Sequence, residues 1–245
     1  MSDDFIYPNW PAPDSVQAIA TTRQGGFSLS PYDDLNLGLH VGDSSETVIK
    51  NRNFLAKTVS LPEQPRWLNQ VHGTVVCSAS DWKNGDEADA IVSHISQQVC
   101  TIMTADCLPI LLCNQQGDMV AAIHGGWRSL AAGIIEETLQ QFECNPKDII
   151  IWLGPAIGPA HFEVGEDVYR AFTQHSKKAH LAFHQTGEHR YLANIYLLAR
   201  QQLEALGIHS IYGGDFCTVS ESSRFFSYRR DGATGRMASL IWLAP

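Results

Sequence analysis

The 245-residue sequence lacks several features that define whole classes of protein. No apolar run approaches the roughly 18 residues that a membrane-spanning helix needs, and the chain has no internal repeat or low-complexity tract. The first ten residues, Met1 to Trp10, contain two aspartates and no basic residue, so they lack the positive region of a secretory signal. We therefore expect a soluble, cytoplasmic protein with no membrane partner.

Positive charge is also scarce. The chain has 17 Lys and Arg against 26 Asp and Glu, which gives a formal net charge of -9. An acidic surface repels phosphate backbones, so we expect no nucleic-acid partner. Hydrophobic residues make up 44% of the chain and charged residues 18%, a balance typical of a globular protein. The length fits one large domain or two small ones, and because nothing in the composition marks a division we expect a single domain over residues 1–245.

The six cysteines and ten histidines lack two pair spacings that are typical of metal and redox sites. No two cysteines form Cys-x-x-Cys, and no two histidines form His-x-His. Because thiols stay reduced inside cells and a chain of this size needs no disulfides, we expect most cysteines to be small buried hydrophobes. Multinuclear copper oxidases require histidines in His-x-His pairs, so the sequence disfavours that class.

Short apolar runs separated by turn residues predict many strands and few helices. The predicted strands cover residues 16–22, 75–79, 88–93, 99–104, 110–113, 119–124, 149–153, 211–212, 225–228 and 237–243. The predicted helices cover 46–59, 129–142, 166–173 and 192–206, with Ser129 as the N-cap of the second. Because strands and helices do not alternate strictly, the pattern predicts an α+β or mixed α/β layered sandwich with helices outside the sheets.

Three polar side chains lie at the ends of predicted strands, where a sheet presents functional groups to a loop. They are His72, Cys107 and His124, and each lies next to Gly, Pro or both. Two imidazoles and one thiolate suit catalytic zinc, which keeps three protein ligands and one open position. Copper accepts the same ligands. The same residues also fit a metal-free site with Cys107 as nucleophile and a histidine as its base, or one buried cysteine and two structural histidines.

Arginines near glycine-rich turns predict anion binding. The turn at residues 124–126 leads into a predicted helix with Arg128 at its start, and a helix N-terminus with a forked guanidinium favours phosphate. Arg229 belongs to the one local concentration of positive charge, with Arg230 and Arg236; the alternative there is a solvated hairpin that turns at residues 231–232. Arg23 lies next to two further glycines.

Three more polar residues are candidates for contacts to substrate or to a metal ligand. They are Asn36, Asn69 and Asp106. Asp106 directly precedes Cys107, so it is predicted either to orient a ligating imidazole or to stabilise a turn.

Taken together, eight ordered stretches resemble the YfiH family, also called laccase-domain or multicopper-oxidase-like purine nucleoside phosphorylases. The resemblance extends over nearly the whole chain and rests on residues 22–26, 35–38, 69–73, 88–90, 104–109, 124–128, 154–158 with 162–165, and 226–232.

The resemblance implies a fold, a metal site and a reaction. The implied fold is a single-domain α/β/β/α sandwich akin to cysteine-hydrolase catalytic domains. The implied His-Cys-His metal site falls on His72, Cys107 and His124, with zinc expected and copper as the alternative. The implied reaction is phosphorolysis of adenosine, inosine, guanosine or methylthioadenosine, accompanied by adenosine deamination. Arg128 and Arg229 are the leading candidates to hold phosphate, and Trp127 or Phe226 to stack on the base, although a core position is also expected for either aromatic.

Three alternatives remain beside this metal-dependent phosphorylase and deaminase. The first is a metal-free cysteine hydrolase or amidase that edits peptidoglycan precursors. The second is a copper-dependent polyphenol oxidase. The third is a metal-binding regulatory protein, which would leave the arginines around the predicted site without a role.

Overall fold

Two large β-sheets face each other in the computed structural model, which describes residues 5–245. Met1 to Asp4, part of the acidic start considered above, lie outside the described residues. The strands are β1 (Phe5–Ile6), β2 (Val16–Thr21), β3 (Arg66–Trp67), β4 (Val76–Ser78), β5 (Ala90–Ser93), β6 (Cys100–Thr104), β7 (Leu108–Asn114), β8 (Val120–Gly125), β9 (Ile149–Leu153), β10 (Glu163–Gly165), β11 (Phe183–Gly187), β12 (Arg190–Ala193), β13 (Ser210–Gly213) and β14 (Met237–Leu243).

The helices are short and lie outside the sheets. They are α1 (Ser45–Thr58), α2 (Trp127–Ala131), α3 (Ile134–Leu139), α4 (Glu166–Thr173), α5 (Ile195–Ala205) and α6 (Tyr228–Asp231), with 3-10 turns at Pro146–Asp148 and Lys177–Ala182. Across residues 5–245, no helix combines the length and the apolar character needed to cross a bilayer.

The strands form three sheets. The first sheet has the order β1-β2-β14-β6-β3, and the second sheet has the order β13-β9-β7-β8-β5-β4. A small third sheet, β10-β12-β11, stands apart from them. Consecutive strands β6 and β7 belong to different large sheets, so the chain crosses between the sheets at residues 105–107.

Fully buried strands build the layers. All seven residues of β14 are buried, and successive side chains point to opposite faces. Leu240 packs on the side of α1, whereas Ile241 packs between the two sheets. In β7, Leu111 likewise faces the first sheet, while Leu112 faces helices α2 to α5. The order of layers is therefore α1, first sheet, second sheet, outer helices, which is the predicted α/β/β/α arrangement of a mixed α+β fold.

Most predicted elements are confirmed within one or two residues, but two of the predicted helices and one predicted strand are wrong. The helix predicted over 129–142 divides into α2 and α3, because Gly133 adopts a left-handed φ of 94° between them. Ser129 is not its N-cap: α2 begins after Gly126, and the Ser129 hydroxyl is buried with no hydrogen-bond partner among residues 5–245. The helix predicted from residue 192 begins only at Ile195, since the Asn194 side chain caps it by accepting from the Leu197 N–H.

The strand predicted over 225–228 is also absent from the described chain. Phe225 and Phe226 are fully buried in a small core with Met237, and the Ser227 hydroxyl accepts from the Arg230 N–H to cap α6. Buried aromatics resemble a strand in sequence, but the Ser227 cap starts a helix here. The hairpin proposed at residues 231–232 is therefore wrong as well.

Replacing Gly133 by alanine should destabilise the protein by about 1–2 kcal/mol, because an L-residue pays that cost in the left-handed region. There is room for the side chain, since the added Cβ would lie 3.6 Å from Glu136 Oε2. Urea unfolding measures the change. The matched control is Gly187→Ala, at a position without positive φ where the added Cβ lies 4.0 Å from its nearest neighbour. Equal effects of the two substitutions would contradict the backbone explanation.

Candidate metal centre

Strand pairing in the second sheet brings Cys107 next to the end of β8. Leu108 pairs with Gly125 in the antiparallel β7–β8 ladder, so Cys107 lies opposite Gly126, one residue beyond the strand. His124 is the next-to-last residue of β8 and is 3% exposed. The register of one hairpin therefore positions two of the three predicted ligands.

Asp89 connects the third predicted ligand to this pair. It lies at the entry to β5, and its carbonyl accepts the His124 N–H at 2.7 Å. Its carboxylate is fully buried and accepts hydrogen bonds from the backbone N–H groups of His72 at 3.0 Å and of Gly73 at 2.6 Å. Its Oδ1 also lies 2.7 Å from His124 Nδ1. One carboxylate thus fixes both the loop that carries His72 and the ring of His124.

The three side chains are close enough to share one metal ion. One ligand atom from each of His72, Cys107 and His124 lies within 4.8 Å of the other two, and Cys107 Sγ lies 3.8 Å from His72 Nε2. Tetrahedral zinc with normal bond lengths needs S–N separations of about 3.5 Å, so only small adjustments are required. Because Asp89 contacts Nδ1 of His124, the Nε2 atom is the one left to bind a metal.

Gly126 keeps the space beside Cys107 and His72 free of a side chain. A Cβ added there would lie 2.7 Å from His72 Cδ2 and 3.5 Å from Cys107 Sγ. Any side chain at this position would therefore enter the volume between the thiol and the imidazole. The soft donors and this open volume both fit a borderline metal such as zinc or copper.

The electrostatics of the centre favour a thiolate. Burial acts to raise the pKa of Cys107, but His124 and His72 together hold it below its usual value. Burial acts to lower the pKa of His124, whereas Cys107 and Asp89 raise it. Burial also acts to raise the pKa of Asp89, yet its hydrogen bonds to His124 and Gly73 keep that pKa low. A thiolate is the form that binds metals and the form that attacks electrophiles.

A cleft of about 290 Å³ is lined by His72 and Cys107, while His124 lies buried behind them. Arg128 and Arg229 both line it, as do the aromatic side chains of Trp127, Phe162 and Tyr228. The guanidinium of Arg128 lies 4.4 Å from the centre of the Trp127 ring. Arg229 Nη1 donates to the carbonyl oxygens of His161 and Glu163, at 3.1 and 3.0 Å. Two of the predicted phosphate ligands therefore face the same cleft as the candidate metal centre.

Asp106 also lines the cleft, but its carboxylate is bonded to the protein. Its Oδ1 accepts from the Thr218 hydroxyl at 2.6 Å, and its Oδ2 accepts from the Arg229 N–H at 2.6 Å. Among the hydrogen bonds of residues 5–245, none joins its carboxylate to His72 or His124, and Asp89 is the carboxylate that bonds to the His124 ring. Both Asp106 and His72 have positive φ values, 87° and 61°. Such strained residues are held in place by their surroundings and cluster at functional sites.

Arg23 and Asn36 lie outside the residues that line the cleft. The guanidinium of Arg23 donates to Asp33 and to the carbonyl of Ser222. Asn36 is fully buried, and its Oδ1 accepts the N–H groups of two loop residues. The substrate contact expected for each stays a prediction, as it does for Asn69, which bridges to the strand entry at Glu87.

The sequence predicted no role for two residues of the site, Asp89 and Tyr228. Asp89 is a charged residue in an otherwise apolar run from 88 to 92. Because a buried carboxylate requires a partner, this pattern indicates a structural or functional role for Asp89. Tyr228 precedes Arg229 and is 62% exposed on the cleft. In the sequence, the corresponding feature was an aromatic residue directly before two arginines.

Replacing Asp89 by asparagine should weaken metal binding by about 10- to 100-fold, the usual cost of losing a hydrogen-bond partner of a ligand. An amide NH₂ would face N–H donors, so stability should also fall by about 3 kcal/mol. Competition with a chromogenic chelator measures the affinity, and urea unfolding of the metal-free protein measures the stability. The control is Glu87→Gln, an exposed carboxylate nearby. Unchanged affinity in Asp89→Asn would contradict the role assigned to Asp89.

Known proteins resemble this chain over its whole length. Residues 17–244 match the family model described as multi-copper polyphenol oxidoreductase laccase. Purine nucleoside phosphorylase YfiH of Escherichia coli K12 is 53% identical over 240 residues, covering 98% of this chain and 98% of that protein. A purine nucleoside phosphorylase of Pseudomonas aeruginosa is 48% identical with the same coverage.

Solved structures agree with the sequence comparison. A Neisseria meningitidis protein superposes with a TM-score of 0.96 and 47% identity, covering 99% of this chain and 100% of the other. YlmD of Geobacillus stearothermophilus superposes with a TM-score of 0.92 and 31% identity, covering 100% of this chain and 98% of the other. With a matching family model and full-length relatives of this similarity, the chain belongs to the YfiH family of laccase-domain proteins.

Proposed function

We propose that this chain is a purine nucleoside phosphorylase whose metal site is formed by His72, Cys107 and His124. The observation that carries the proposal is that the ligand atoms of these residues lie within 4.8 Å of one another, and that His72 and Cys107 line a cleft that two arginines also line. The name of the 53% identical relative supports the same activity. Residues 1–245 then form one catalytic domain, and we expect it to act in the cytoplasm.

Zinc is the metal we propose, with copper as the alternative. The donor set of two imidazoles and one thiolate suits both ions. When bound, the ion supplies a Lewis acid that polarises substrate oxygens or lowers the pKa of water. The protein's own contribution is to fix the three ligands, since Asp89 holds the His124 ring and the His72 loop by hydrogen bonds.

The arginines are proposed to hold inorganic phosphate. Within residues 5–245, Arg128 makes a ring contact with Trp127 and no ion pair, so its N–H groups are available to an anion. One nitrogen of Arg229 donates to two carbonyl groups. These hydrogen bonds fix the orientation of its guanidinium and leave the other nitrogens for an anion. A phosphate oxygen then attacks the anomeric carbon of the ribose as the glycosidic C–N bond breaks. The bound dianion also stabilises the positive charge that develops on the sugar.

Adenosine, inosine, guanosine and methylthioadenosine are the proposed nucleosides. Trp127 and Tyr228 line the cleft and offer ring faces to a purine. Phe226 does not, because its side chain is fully buried in the core with Met237. Adenosine deamination is a second proposed reaction of the same cleft, in which water replaces the amine on the purine ring and ammonia leaves.

Incubation of the purified protein with inosine tests the proposal directly. Hypoxanthine and ribose-1-phosphate should form together, in equal amounts, only when phosphate is present. Free ribose instead of ribose-1-phosphate would show hydrolysis and would reject the phosphorylase assignment. No release of hypoxanthine under either condition would reject purine nucleoside cleavage altogether.

Replacing Arg128 by methionine should raise the KM for phosphate by about 10- to 100-fold, because a hydrogen bond to a charged group contributes roughly 1.5–3 kcal/mol. The KM for inosine should change much less, since the predicted contact is to the anion. Initial rates at varied phosphate and fixed inosine give the first value. Arg190→Met is the control, at an exposed position of β12. An equal change in both KM values would indicate a general distortion of the cleft.

A cysteine hydrolase or amidase is the second candidate function. The observation in its favour is the lowered pKa of Cys107, caused by His124 and His72 against the opposing effect of burial, which suits a nucleophile. Under this candidate, the fold would be akin to that of cysteine-hydrolase domains. The substrate would be a peptidoglycan precursor, which the enzyme would edit. It requires no metal, so activity that survives complete metal removal would favour it. Copper-dependent polyphenol oxidation ranks third, because His72, Cys107 and His124 form the one three-ligand group found among the described residues.

A further inference from the structure

Three basic side chains form a cluster at the loop between β2 and α1, and none of them lines the catalytic cleft. This basic cluster consists of His40 on the loop, Arg52 on α1 and Arg236 directly before β14. Arg52 Nε and Nη2 donate to the Leu37 carbonyl at 3.0 and 2.7 Å. A Cβ added to Gly38 would lie 2.8 Å from Arg236 Cγ. Both arginines therefore contact the short segment that leads to His40.

The charges of the basic cluster are not balanced by carboxylates. Partial burial of the ring, and then the charges of Arg236 and Arg52, lower the pKa of His40, although its side chain as a whole is exposed. Burial lowers the pKa of Arg52 to about 10, which leaves it charged at neutral pH. Among the ion pairs of residues 5–245, none includes either arginine. Two positive charges thus lie beside an imidazole without a counter-ion from the described chain.

Each member of the basic cluster keeps N–H groups that the described protein does not use. Arg52 Nη1 has no acceptor among residues 5–245, because the hydrogen bonds of Arg52 involve Nε and Nη2. Arg236 bonds to the carbonyls of Thr234 and Gly235 through Nη1 alone, so its Nε and Nη2 are unused. None of these nitrogens is among the described side-chain atoms that are buried without a partner. They are therefore open to solvent, as is the exposed ring of His40, and a ligand can reach them.

The basic cluster lies at the edge of the candidate metal centre. Met237 pairs with Thr104 in the antiparallel β14–β6 ladder. Arg236 consequently lies opposite Ala105, where the chain crosses between the sheets toward Cys107. Burial lowers the pKa of Arg236, and the negative charge of Cys107 is the largest influence that acts to raise it. An anion held by the cluster would therefore lie beside the catalytic cleft.

We propose that these three side chains form a subsite for a phosphoryl group, separate from the anion contact of Arg128 and Arg229. A guanidinium presents planar N–H donors that match phosphate oxygens, and an imidazole adds one more donor. A bound phosphate dianion also supplies the negative charge that the basic cluster lacks. The net charge of -9 disfavours a long polyanion, so the ligand is small, either free phosphate or the phosphate ester of a nucleoside.

Equilibrium dialysis of the purified full chain against radiolabelled inorganic phosphate tests this subsite. We expect two ions per wild-type chain, one at the basic cluster and one at the arginines of the cleft. His40→Glu changes an exposed position and should weaken the first by about tenfold or more, the scale of a lost charge-assisted hydrogen bond. Arg236→Met should have the same effect. The controls His184→Glu and Arg190→Met, at exposed positions of the third sheet, should bind like the wild type.

Arg128→Met distinguishes failure of this proposal from failure of the proposed function. It should leave one bound ion, which His40→Glu in the same chain then removes. Two bound ions in Arg128→Met would reject the phosphate contact proposed for Arg128 and leave the subsite standing. The remaining ion also identifies the ligand. Its displacement by 5′-AMP but not by adenosine would assign the subsite to a phosphate ester, and its retention against 5′-AMP would assign it to inorganic phosphate.

Two results would overturn the subsite. The first is phosphate binding by His40→Glu and Arg236→Met that equals wild-type binding in both number and affinity. The second is displacement of the remaining ion by acetate as readily as by unlabelled phosphate, which would show unspecific attraction of anions. Urea unfolding of the variants checks that each is folded, and His40→Glu keeps the test open if Arg236→Met is not.

Discussion

Cys107→Ser should lose the metal and, with it, turnover. A serine hydroxyl stays protonated at neutral pH and is a poor ligand for a borderline metal, whereas the thiolate of Cys107 is stabilised by two imidazoles. The loss of affinity should exceed about 100-fold, the upper end of what losing a ligand's hydrogen-bond partner costs. Elemental analysis after dialysis and inosine phosphorolysis measure the two effects.

Two further variants make this experiment specific. Cys144→Ser removes a partly buried thiol that does not line the cleft, and it should change neither metal content nor rate. Cys107→Asp keeps a metal ligand but removes the sulfur nucleophile, so it should retain weaker metal binding and measurable turnover. Metal binding without any turnover in Cys107→Asp would contradict a purely ligating role and favour a nucleophilic cysteine.

Gly126→Ala should produce the second largest effect, by excluding the metal without unfolding the protein. The added Cβ would lie 2.7 Å from His72 Cδ2. His72 is exposed on a loop, so its ring should swing away and stop being a ligand. Metal affinity should fall by about 100-fold or more, as for loss of a ligand.

The stability of the metal-free protein should hardly change. Gly126 has φ and ψ of -63° and 150°, which any residue adopts, and alanine is only slightly worse than glycine before a helix, by under about 1 kcal/mol. Gly73→Ala is the matched control in the same site, because its added Cβ would meet nothing closer than 3.6 Å. A Gly126→Ala protein that binds zinc as tightly as wild type would show that the metal does not need the space left by Gly126.

Strand pairing explains why the predicted ligands come together. The apolar runs at 110–113 and 119–124 predict neighbouring strands, and their antiparallel pairing places Cys107 opposite Gly126 and beside His124. The position of His72 could not be predicted in this way. Its loop is held by hydrogen bonds from its backbone to Asp89, and a contact between residues 17 apart in sequence leaves no periodic pattern.

The errors have a common cause in local signals that tertiary contacts override. Ser129 resembles an N-cap in sequence, but the cap position is Gly126, three residues earlier and directly after β8. Asp106 resembles a ligand's partner because it precedes Cys107, yet its carboxylate is bonded to Thr218 and the backbone of Arg229. Both of those partners lie more than a hundred residues away along the chain, beyond the reach of any local pattern.

Removal and return of the metal tests the central claim most directly. The protein is stripped with a chelator, its metal content is measured, and phosphate-dependent hypoxanthine release from inosine is followed before and after stoichiometric zinc is added. We predict that the stripped protein is folded but inactive and that zinc restores its rate, whereas stripped Gly126→Ala is not restored. Full turnover by protein verified to be free of metal would contradict a catalytic His-Cys-His metal centre.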